Sequence, residues 1–362
     1  MLDLPAIPAP SAAHFAAAQA RLDAKTKPPR SLGRLEVLAA RLCAIQHRET
    51  PDVRHVRAVL FAADHGVTER EAVSPYPREV TAQMVANFAA GGAAATVLAR
   101  QNGVELQVVD VGVATPLPPL SGETPVFERR VRNGTRDFSR EAALTKEEVA
   151  AALQIGLEVG AKAALDGVGV LALGEMGIGN SSSAAALLSL LKNASPALTT
   201  GRGTGVDDAG LERKRAVIER ALILHRSAQT PMAQMEAVGG LEIAALAGAC
   251  VGAAAARVPV VVDGFIVTVA ALWACRLLAQ IDSAQGDNLQ NALIFSHRSR
   301  ETGHQLALRA LDALEGERRP LLEWDMALGE GSGAILVVPL LRAAAALFEM
   351  ATFQSAGVSS NS

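Results

Sequence analysis

Glu330 is a carboxylate whose neighbours suit it to proton transfer. It stands in the stretch MALGEGSGA, between two glycines and just before an apolar run, and the ten residues before it include no Lys, Arg or His. A neighbouring cation would hold a carboxylate in its ionised form and make it a weak base, so this isolation favours general base catalysis. The alternative is an acid at a helix entrance, near the favourable end of the helix dipole.

The stretch GEMGIGNSSSAAALLSLL, residues 174–191, has the composition of a phosphate-binding turn. Gly177 and Gly179 would let the backbone approach a ligand closely, and Asn180, Ser181 or the next serine could cap the helix that follows. The spacing matches neither the dinucleotide fingerprint GxGxxG nor the sequence GxxxxGK[ST]. An ordinary tight turn with a helix cap is the alternative.

A second glycine-rich loop, TTGRGTGVDDAGLERK, covers residues 199–214. Gly203 would add a backbone amide, Thr204 a hydroxyl, and Lys214 a cation on the next helix, while Arg202 could also pair with a phosphate. No pair of metal-binding carboxylates stands beside the two loops, so they indicate a monophosphate rather than a nucleoside triphosphate. Lys214 as a solvated residue on an amphipathic helix is the alternative.

Residues 64–100 combine a loop with two prolines and a helix that carries Gln83 and Met84. This pattern predicts a flat apolar pocket wall with polar groups that orient a ligand, or else a surface loop over a core helix. His65 follows the first apolar run and could act as a base or metal ligand. No HxxxE or HxH spacing accompanies it, so a structural histidine is favoured.

Short apolar runs rich in β-branched residues alternate with Ala- and Leu-rich helical patterns. This alternation predicts a mainly parallel six-stranded sheet that helices cover on both faces. Ligands of such sheets bind beyond the carboxyl ends of the strands, where polar residues collect in this sequence. The predicted strands are residues 57–63, 104–113, 167–174, 257–264, 291–296 and 321–329.

Both ends of the chain read as helical. The pattern of residues 11–46 predicts two helices interrupted at Pro28-Pro29, and the pattern of residues 340–354 predicts another helix. We therefore expect a small helical subdomain from residues 1–50 and roughly 340–362, and a large α/β catalytic domain from residues 51–339.

The composition restricts which classes of protein the chain can belong to. Of 362 residues, 50% are hydrophobic but only 3% are aromatic, so we expect a core of Ala, Val and Leu with closely packed helices. The net charge is −3 and the basic residues are scattered, which argues against a nucleic-acid or anionic-membrane partner. Cys43, Cys250 and Cys275 form no CxxC pair, so we expect neither a zinc site nor a disulfide, and a reducing cytoplasm.

We predict neither an export signal nor a membrane segment. The N-terminus carries an acid and several prolines where a signal peptide needs a basic start and an apolar core. Residues 237–275 are apolar, but Glu242 and Asp263 would be costly at a bilayer centre. A buried helix followed by a buried strand fits this stretch better.

Several motifs together resemble one enzyme family. TKPPRSLGRLE, FAADHGV, VSPYPREVTAQMVANFAAGGAA, GEMGIGNSSSAAAL, GRGTGVDD, VVDGF and LGEGSGA follow one another along nearly the whole chain. In these motifs and their order, the sequence resembles the nicotinate-nucleotide:dimethylbenzimidazole phosphoribosyltransferases of cobalamin lower-ligand assembly. The resemblance implies a homodimer with a Rossmann-like doubly wound α/β domain and a small helical one built from both chain ends. We expect no metal and no cofactor.

The resemblance also implies a reaction and a set of site residues. The reaction moves 5-phosphoribosyl from nicotinate mononucleotide to 5,6-dimethylbenzimidazole, giving α-ribazole 5′-phosphate and nicotinate with inversion at C1′. By motif, Glu330 matches the catalytic base and Glu175 a second acidic residue of the active site. The segments implied to bind the base contain Ser74 and Gln83, and those implied to hold the nucleotide phosphate contain Gly177, Gly179, Gly203 and Lys214.

The sequence departs from the family pattern at two places. VSPYP stands where VSAYP is common, which leaves the base preference open, and GNSSS stands where relatives more often have GNTT, which keeps the hydroxyls. The alternatives are the same transfer to adenine, another benzimidazole or a phenol, and a non-catalytic nucleotide-binding sensor. Glu330 argues against the sensor, because binding alone does not need that acid.

Overall fold

A computed structural model describes residues 3–203 and 205–359 and is organised around a single sheet. The strand order is β3-β2-β1-β4-β5-β6, and every neighbouring pair is parallel. This is the order of a doubly wound sheet, so the predicted α/β class is confirmed. The strands are β1 Val56–Ala63, β2 Glu105–Gly112, β3 Val126–Glu128, β4 Val170–Met176, β5 Val260–Val262 and β6 Leu293–Phe295.

The predicted strand at residues 321–329 is wrong. Apart from one bridge between His297 and Leu322, this segment is irregular. Asp325 and Gly329 have positive φ values of 53° and 84°, which an extended strand does not allow. The remaining strand is instead β3 at the opposite edge, where it pairs with β2. With three residues, one half-buried and two exposed, β3 has too short an apolar pattern to be recognised from sequence.

The strands read as continuous apolar runs because both faces of the sheet are covered. All eight residues of β1 are buried. Val59 and Phe61 belong to one hydrophobic cluster, and Ala58 and Leu60 belong to another. Successive side chains of a strand point to opposite faces, so the two clusters lie on opposite sides of the sheet.

Helices form the two covering layers. Short 3₁₀ segments accompany them at Gly66–Glu69, Gly316–Arg318 and Leu347–Glu349. The α-helices are α1 Ala12–Asp23, α2 Arg34–Gln46, α3 Val80–Ala90, α4 Ala94–Gln101, α5 Lys146–Leu165, α6 Asn180–Lys192, α7 Pro196–Thr199, α8 Asp208–Leu224, α9 Pro231–Val238, α10 Leu241–Ala255, α11 Phe265–Ala279, α12 Ser283–Ala292, α13 Thr302–Ala310, α14 Ser332–Leu336, α15 Val338–Ala346 and α16 Phe353–Ala356.

Helices α5 and α10 touch backbone to backbone. A Cβ added at Gly156 would lie 1.9 Å from the Ala245 carbonyl oxygen, and one added at Gly248 would lie 2.0 Å from the Leu153 carbonyl oxygen. Such distances leave no room for any side chain at these glycines. The close helix packing expected from an aromatic-poor core is therefore present.

The apolar stretch at residues 237–275 lies inside the fold. Helix α10 is followed by strand β5 and helix α11, and most residues of all three are buried. Two other helical stretches, Val80–Gln101 and Ser332–Glu349, are long and apolar enough to cross a membrane by length and composition alone. Each is interrupted in this fold, and 44% and 56% of the residues in their apolar windows are buried.

The helices from both ends of the chain pack together. Lys25 Nζ donates hydrogen bonds to the carbonyls of Phe348 and Met350, at 2.7 and 2.6 Å. Leu22 of α1 and Leu341 of α15 belong to the hydrophobic cluster that also covers one face of the sheet. The predicted helices at both ends are present, while a domain division near residues 50 and 340 stays a prediction.

Candidate active site

A cavity of about 700 Å³ opens at the carboxyl ends of β4, β5 and β6. Met176 is the last residue of β4, Asp263 directly follows β5, and His297 lies just beyond β6; all three line the cavity. This is where ligands bind in doubly wound sheets. Nine of the residues predicted for the site line it as well: Ser74, Glu175, Gly177, Gly179, Asn180, Ser181, Gly203, Lys214 and Glu330.

Two predicted residues are not placed in the cavity. Gln83 lies on the exposed face of α3, whereas Val80 and Met84 of the same helix line the cavity. A contact between Gln83 and a substrate therefore stays a prediction. Thr204 falls outside the described residues.

Glu330 stands in a strained turn. Gly329, Glu330 and Gly331 have φ values of 84°, 61° and 71°, so three successive residues adopt the left-handed conformation. For a residue with a side chain this conformation costs roughly 1 kcal/mol or more. The turn is closed by Ser332, whose amide and hydroxyl both donate to the Gly329 carbonyl, at 3.0 and 2.7 Å. The strain falls on the residue that the sequence singles out as a base.

The Glu330 carboxylate is buried and has no cationic neighbour. Only 8% of the residue is exposed, and its Oε2 lies 3.5 Å from the Ala95 amide at the start of α4. Among the described residues, no Lys, Arg or His nitrogen comes within 4.0 Å of it. Burial raises the pKa of the Glu330 carboxyl, the Ala95 amide opposes this, and the charge of Asp263 adds to it. The environment therefore increases its strength as a base.

Glu175 lies at the end of β4 in a cluster of acids. Its Oε2 accepts a hydrogen bond from Asn180 Nδ2. Burial raises the pKa of Glu175 to about 8, the charges of Asp263 and Glu242 add to this, and the Asn180 hydrogen bond opposes it. Glu175 is therefore mainly protonated at neutral pH and can donate a hydrogen bond.

The glycine-rich turn before α6 packs tightly against β1 and the segment that follows it. A Cβ at Gly177 would lie 2.4 Å from the Ala63 carbonyl oxygen, and one at Gly179 would lie 2.6 Å from Thr68 Cγ2. The prediction that Asn180, Ser181 or Ser182 caps α6 is wrong. Gly179 is the N-cap residue and no side chain of the described residues caps the helix, because Asn180 bonds to Glu175 and Ser181 accepts a hydrogen bond from Lys214 of α8.

Lys214 is an interior cation rather than a solvated one. It is 1% exposed, and its Nζ donates to Ser181 Oγ at 3.0 Å. Burial lowers the pKa of Lys214, and the nearby Glu301 carboxylate opposes this shift. This placement rules out the solvated helix residue. Arg202, by contrast, forms an ion pair with Asp208.

Some lining residues were not among the predicted site. Asp263, His297, Ser299 and Glu301 follow β5 and β6 and face the cavity. Their positions just after apolar runs are the signal that could have selected them. His65 is buried and its Nε2 lies 2.6 Å from Glu242 Oε1, which confirms the structural histidine.

Similar proteins are known for nearly the whole chain. A family model described as Phosphoribosyltransferase matches residues 7–358. The nicotinate-nucleotide–dimethylbenzimidazole phosphoribosyltransferase of Cupriavidus necator is 48% identical over 345 residues, covering 95% of each chain. The protein of the same name from Thermus thermophilus is 46% identical and covers 95% of this chain and 98% of its own. The crystal structure of CobT from Thermus thermophilus superposes with a TM-score of 0.87 at 45% identity, covering 96% of this chain and 99% of that one.

Proposed function

Because the chain belongs to the nicotinate-nucleotide–dimethylbenzimidazole phosphoribosyltransferase family, we propose that it transfers 5-phosphoribosyl from nicotinate mononucleotide to 5,6-dimethylbenzimidazole. The products are α-ribazole 5′-phosphate and nicotinate, in the assembly of the lower ligand of cobalamin. The observation that carries this proposal is one cavity lined by a buried carboxylate without a cationic neighbour, Glu330, and by a buried cation, Lys214.

The chemistry of the leaving group explains why few catalytic groups are needed. Nicotinate is a cationic pyridinium within its mononucleotide and departs as a neutral ring nitrogen, so no general acid has to protonate it. The benzimidazole attacks C1′ through one nitrogen, on the face opposite the leaving group, and the β configuration becomes α. The other benzimidazole nitrogen must lose its proton.

Glu330 is the proposed acceptor of that proton. A general base works best when its pKa approaches the operating pH. Burial raises the pKa of Glu330 toward this range, and no Lys, Arg or His of the described residues pairs with its ionised form. Glu330 lines the cavity, and the flat base is proposed to bind there beside it.

Glu175 is proposed to act as a neutral hydrogen-bond donor. Because burial raises its pKa to about 8, it carries little negative charge with which to stabilise an oxocarbenium ion at neutral pH. Orientation of the ribose hydroxyls fits its protonated state better. Asn180 fixes one carboxyl oxygen and leaves the other for the substrate.

The apolar wall of the cavity is proposed to hold the acceptor base. Val80, Met84 and Ile178 supply apolar surface there, and Ser74 supplies a hydroxyl. Pro75, at the position where the family pattern more often has Ala, lines the same wall. Acceptor choice among benzimidazoles, adenine and phenols is therefore proposed to depend on this segment.

The reaction is tested by release of nicotinate from its mononucleotide, measured with and without 5,6-dimethylbenzimidazole. We expect release that depends on the base, together with a product of the mass of α-ribazole 5′-phosphate. A panel of adenine, other benzimidazoles and phenols ranks the acceptors. Saturable binding of the mononucleotide without release would select the sensor instead.

Lys214→Ala is expected to raise the KM for nicotinate mononucleotide about tenfold or more and to leave the KM for the base nearly unchanged. A buried ammonium that pairs with a phosphate contributes roughly 1.5–3 kcal/mol. Steady-state kinetics with each substrate varied in turn measures the effect. Arg213→Ala, at an exposed position of the same helix, is the matched control. An unchanged KM for the mononucleotide would remove Lys214 from the phosphate site.

The chain is also proposed to act as a homodimer in the cytoplasm, on small-molecule substrates alone. The family resemblance supports the dimer. Tyr76 and Leu328 support the dimer too. These large side chains line the cavity and yet are 48% and 50% exposed, so a second copy of the chain has apolar surface to cover there. Sedimentation equilibrium measures the association state.

A further inference from the structure

We propose that His304 is a positioning residue, which ties the loop after β6 to the start of α11 and so holds the wall of the cavity beside the second glycine-rich loop. The proposal rests on the transferase function above. His304 is buried in α13 and lies outside the cavity lining. It therefore acts on the substrate through its neighbours.

A chain of hydrogen bonds runs through the His304 ring. The Ser299 amide donates to Nδ1 at 2.9 Å, and Nε2 lies 3.0 Å from Thr268 Oγ1. Thr268 Oγ1 donates in turn to the Gly264 carbonyl at 2.8 Å. Ser299 follows β6, whereas Gly264 and Thr268 belong to the start of α11. Ser299 and Gly264, the two ends of the chain, both line the cavity.

The partners of His304 fix its tautomer. A backbone amide can only donate, so Nδ1 is the accepting nitrogen. The Gly264 carbonyl can only accept, so the Thr268 hydroxyl gives its proton to Gly264 and accepts from Nε2. Both requirements select the same neutral ring. Burial lowers the pKa of His304 to about 3, and the neighbouring His297 adds to this, so the ring stays neutral at the pH of the reaction.

The loop that His304 holds packs directly against the second glycine-rich loop. A Cβ added at Gly201 would lie 2.1 Å from Glu301 Oε2, so the Glu301 carboxylate fills the space beside that glycine. A Cβ added at Gly303 would lie 2.5 Å from the Thr199 carbonyl oxygen, which brings the two backbones together. In such close packing a shift of one segment is passed to the other.

The second glycine-rich loop leads to the proposed phosphate site. A Cβ added at Gly203 would lie 3.1 Å from Lys214 Nζ, the buried cation that is proposed to pair with the phosphate. Loss of the bond between His304 and the Ser299 amide would leave a buried donor unsatisfied and free the loop to move. The expected consequence is weaker binding of nicotinate mononucleotide.

The Glu330 turn is held by other contacts. It lies against β4, since a Cβ added at Gly174 would be 2.4 Å from the Gly331 amide nitrogen. The helix after the turn is held by Asp263, whose Oδ1 accepts a hydrogen bond of 3.0 Å from the Ala334 amide. Changes at position 304 should therefore affect nucleotide binding more than the chemical step.

The test compares His304→Leu, which removes both hydrogen bonds, with His304→Asn, which keeps an accepting oxygen near the position of Nδ1. We expect His304→Leu to raise the Kd for nicotinate mononucleotide about tenfold, and His304→Asn to stay within about threefold of the wild type. Calorimetric titration measures the Kd. The kcat of both variants should stay within about threefold of the wild type.

His225→Leu is the matched control. Its Nε2 lies 2.8 Å from the Phe138 carbonyl oxygen, outside the cavity lining, and its loss should change the Kd by less than about twofold. If His304→Leu does not fold, as judged by circular dichroism, Thr268→Val replaces it. That variant removes the second link at nearly constant size and should raise the Kd about threefold or more.

The urea midpoint of unfolding is measured for every variant. Equal Kd values for His304→Leu and His304→Asn would reduce His304 to a core residue and overturn the proposal. So would Kd values that follow the loss of stability across the series, the control included. Titration does not need turnover, so absence of base-dependent nicotinate release in the wild type would overturn the function, while an unchanged Kd in His304→Leu would overturn only the role of His304.

Discussion

Glu330→Gln is expected to lower turnover about 100-fold or more while preserving the fold and the affinity for nicotinate mononucleotide. A positioned general base contributes ~10²–10⁴-fold, and glutamine keeps the size of the side chain but cannot accept the proton. Single-turnover release of nicotinate measures the chemical step, and calorimetric titration of the mononucleotide measures binding.

Glu323→Gln is a suitable control for that substitution. Glu323 is an exposed carboxylate in the same irregular segment, and it pairs with Arg298 on the surface at 2.9 Å. Its loss should leave turnover unchanged within about twofold, because exposed ion pairs contribute little. Near-normal turnover of Glu330→Gln would show that another group takes the proton.

The second large effect is expected for Gly156→Val, which should destabilise the protein by about 3 kcal/mol or more or prevent soluble folding. The first side-chain carbon alone would lie 1.9 Å from the Ala245 carbonyl oxygen. The Ala245 carbonyl oxygen belongs to the backbone of a helix and cannot move far enough on its own to relieve this overlap. Helices α5 and α10 would therefore have to separate. The urea midpoint of unfolding measures the loss.

Ala151→Val controls for the helix propensity of valine. Ala151 lies on the exposed face of α5, one helix turn and a half from the contact, where the change should cost about half a kcal/mol. A similar small loss at both positions would mean that the two helices can move apart cheaply, contrary to the close contact described above.

The sequence predicts well where physical requirements are local. Five of the strands are recognisable because burial on both faces demands uninterrupted apolar residues, as in β1. β3 is not recognisable from the sequence, because its three residues form a strand through pairing with β2 rather than through a hydrophobic pattern of their own. Residues 321–329 mislead for the opposite reason: they are apolar enough for a strand, but the turn at Gly329 decides their backbone.

The same distinction between local and long-range requirements applies to the candidate site. Glu330 and Glu175 can be selected from their own neighbours in the sequence. The contact that Glu330 makes with the Ala95 amide cannot be, because Ala95 is 235 residues from Glu330 in the sequence. The buried state of Lys214 is likewise hidden, since its helix has an amphipathic pattern and only the fold shows which side faces Ser181.

The hydrogen bonds from Lys25 to Phe348 and Met350 have a consequence for biosynthesis. They join groups 323 and 325 residues apart. Translation proceeds at about 5–20 residues per second, so α1 and α2 wait for roughly a quarter of a minute to a minute before this partner leaves the ribosome. During that interval the apolar side of α1 at Leu22 lacks its final cover. The segment made early therefore completes its packing only after the C-terminal segment has been made.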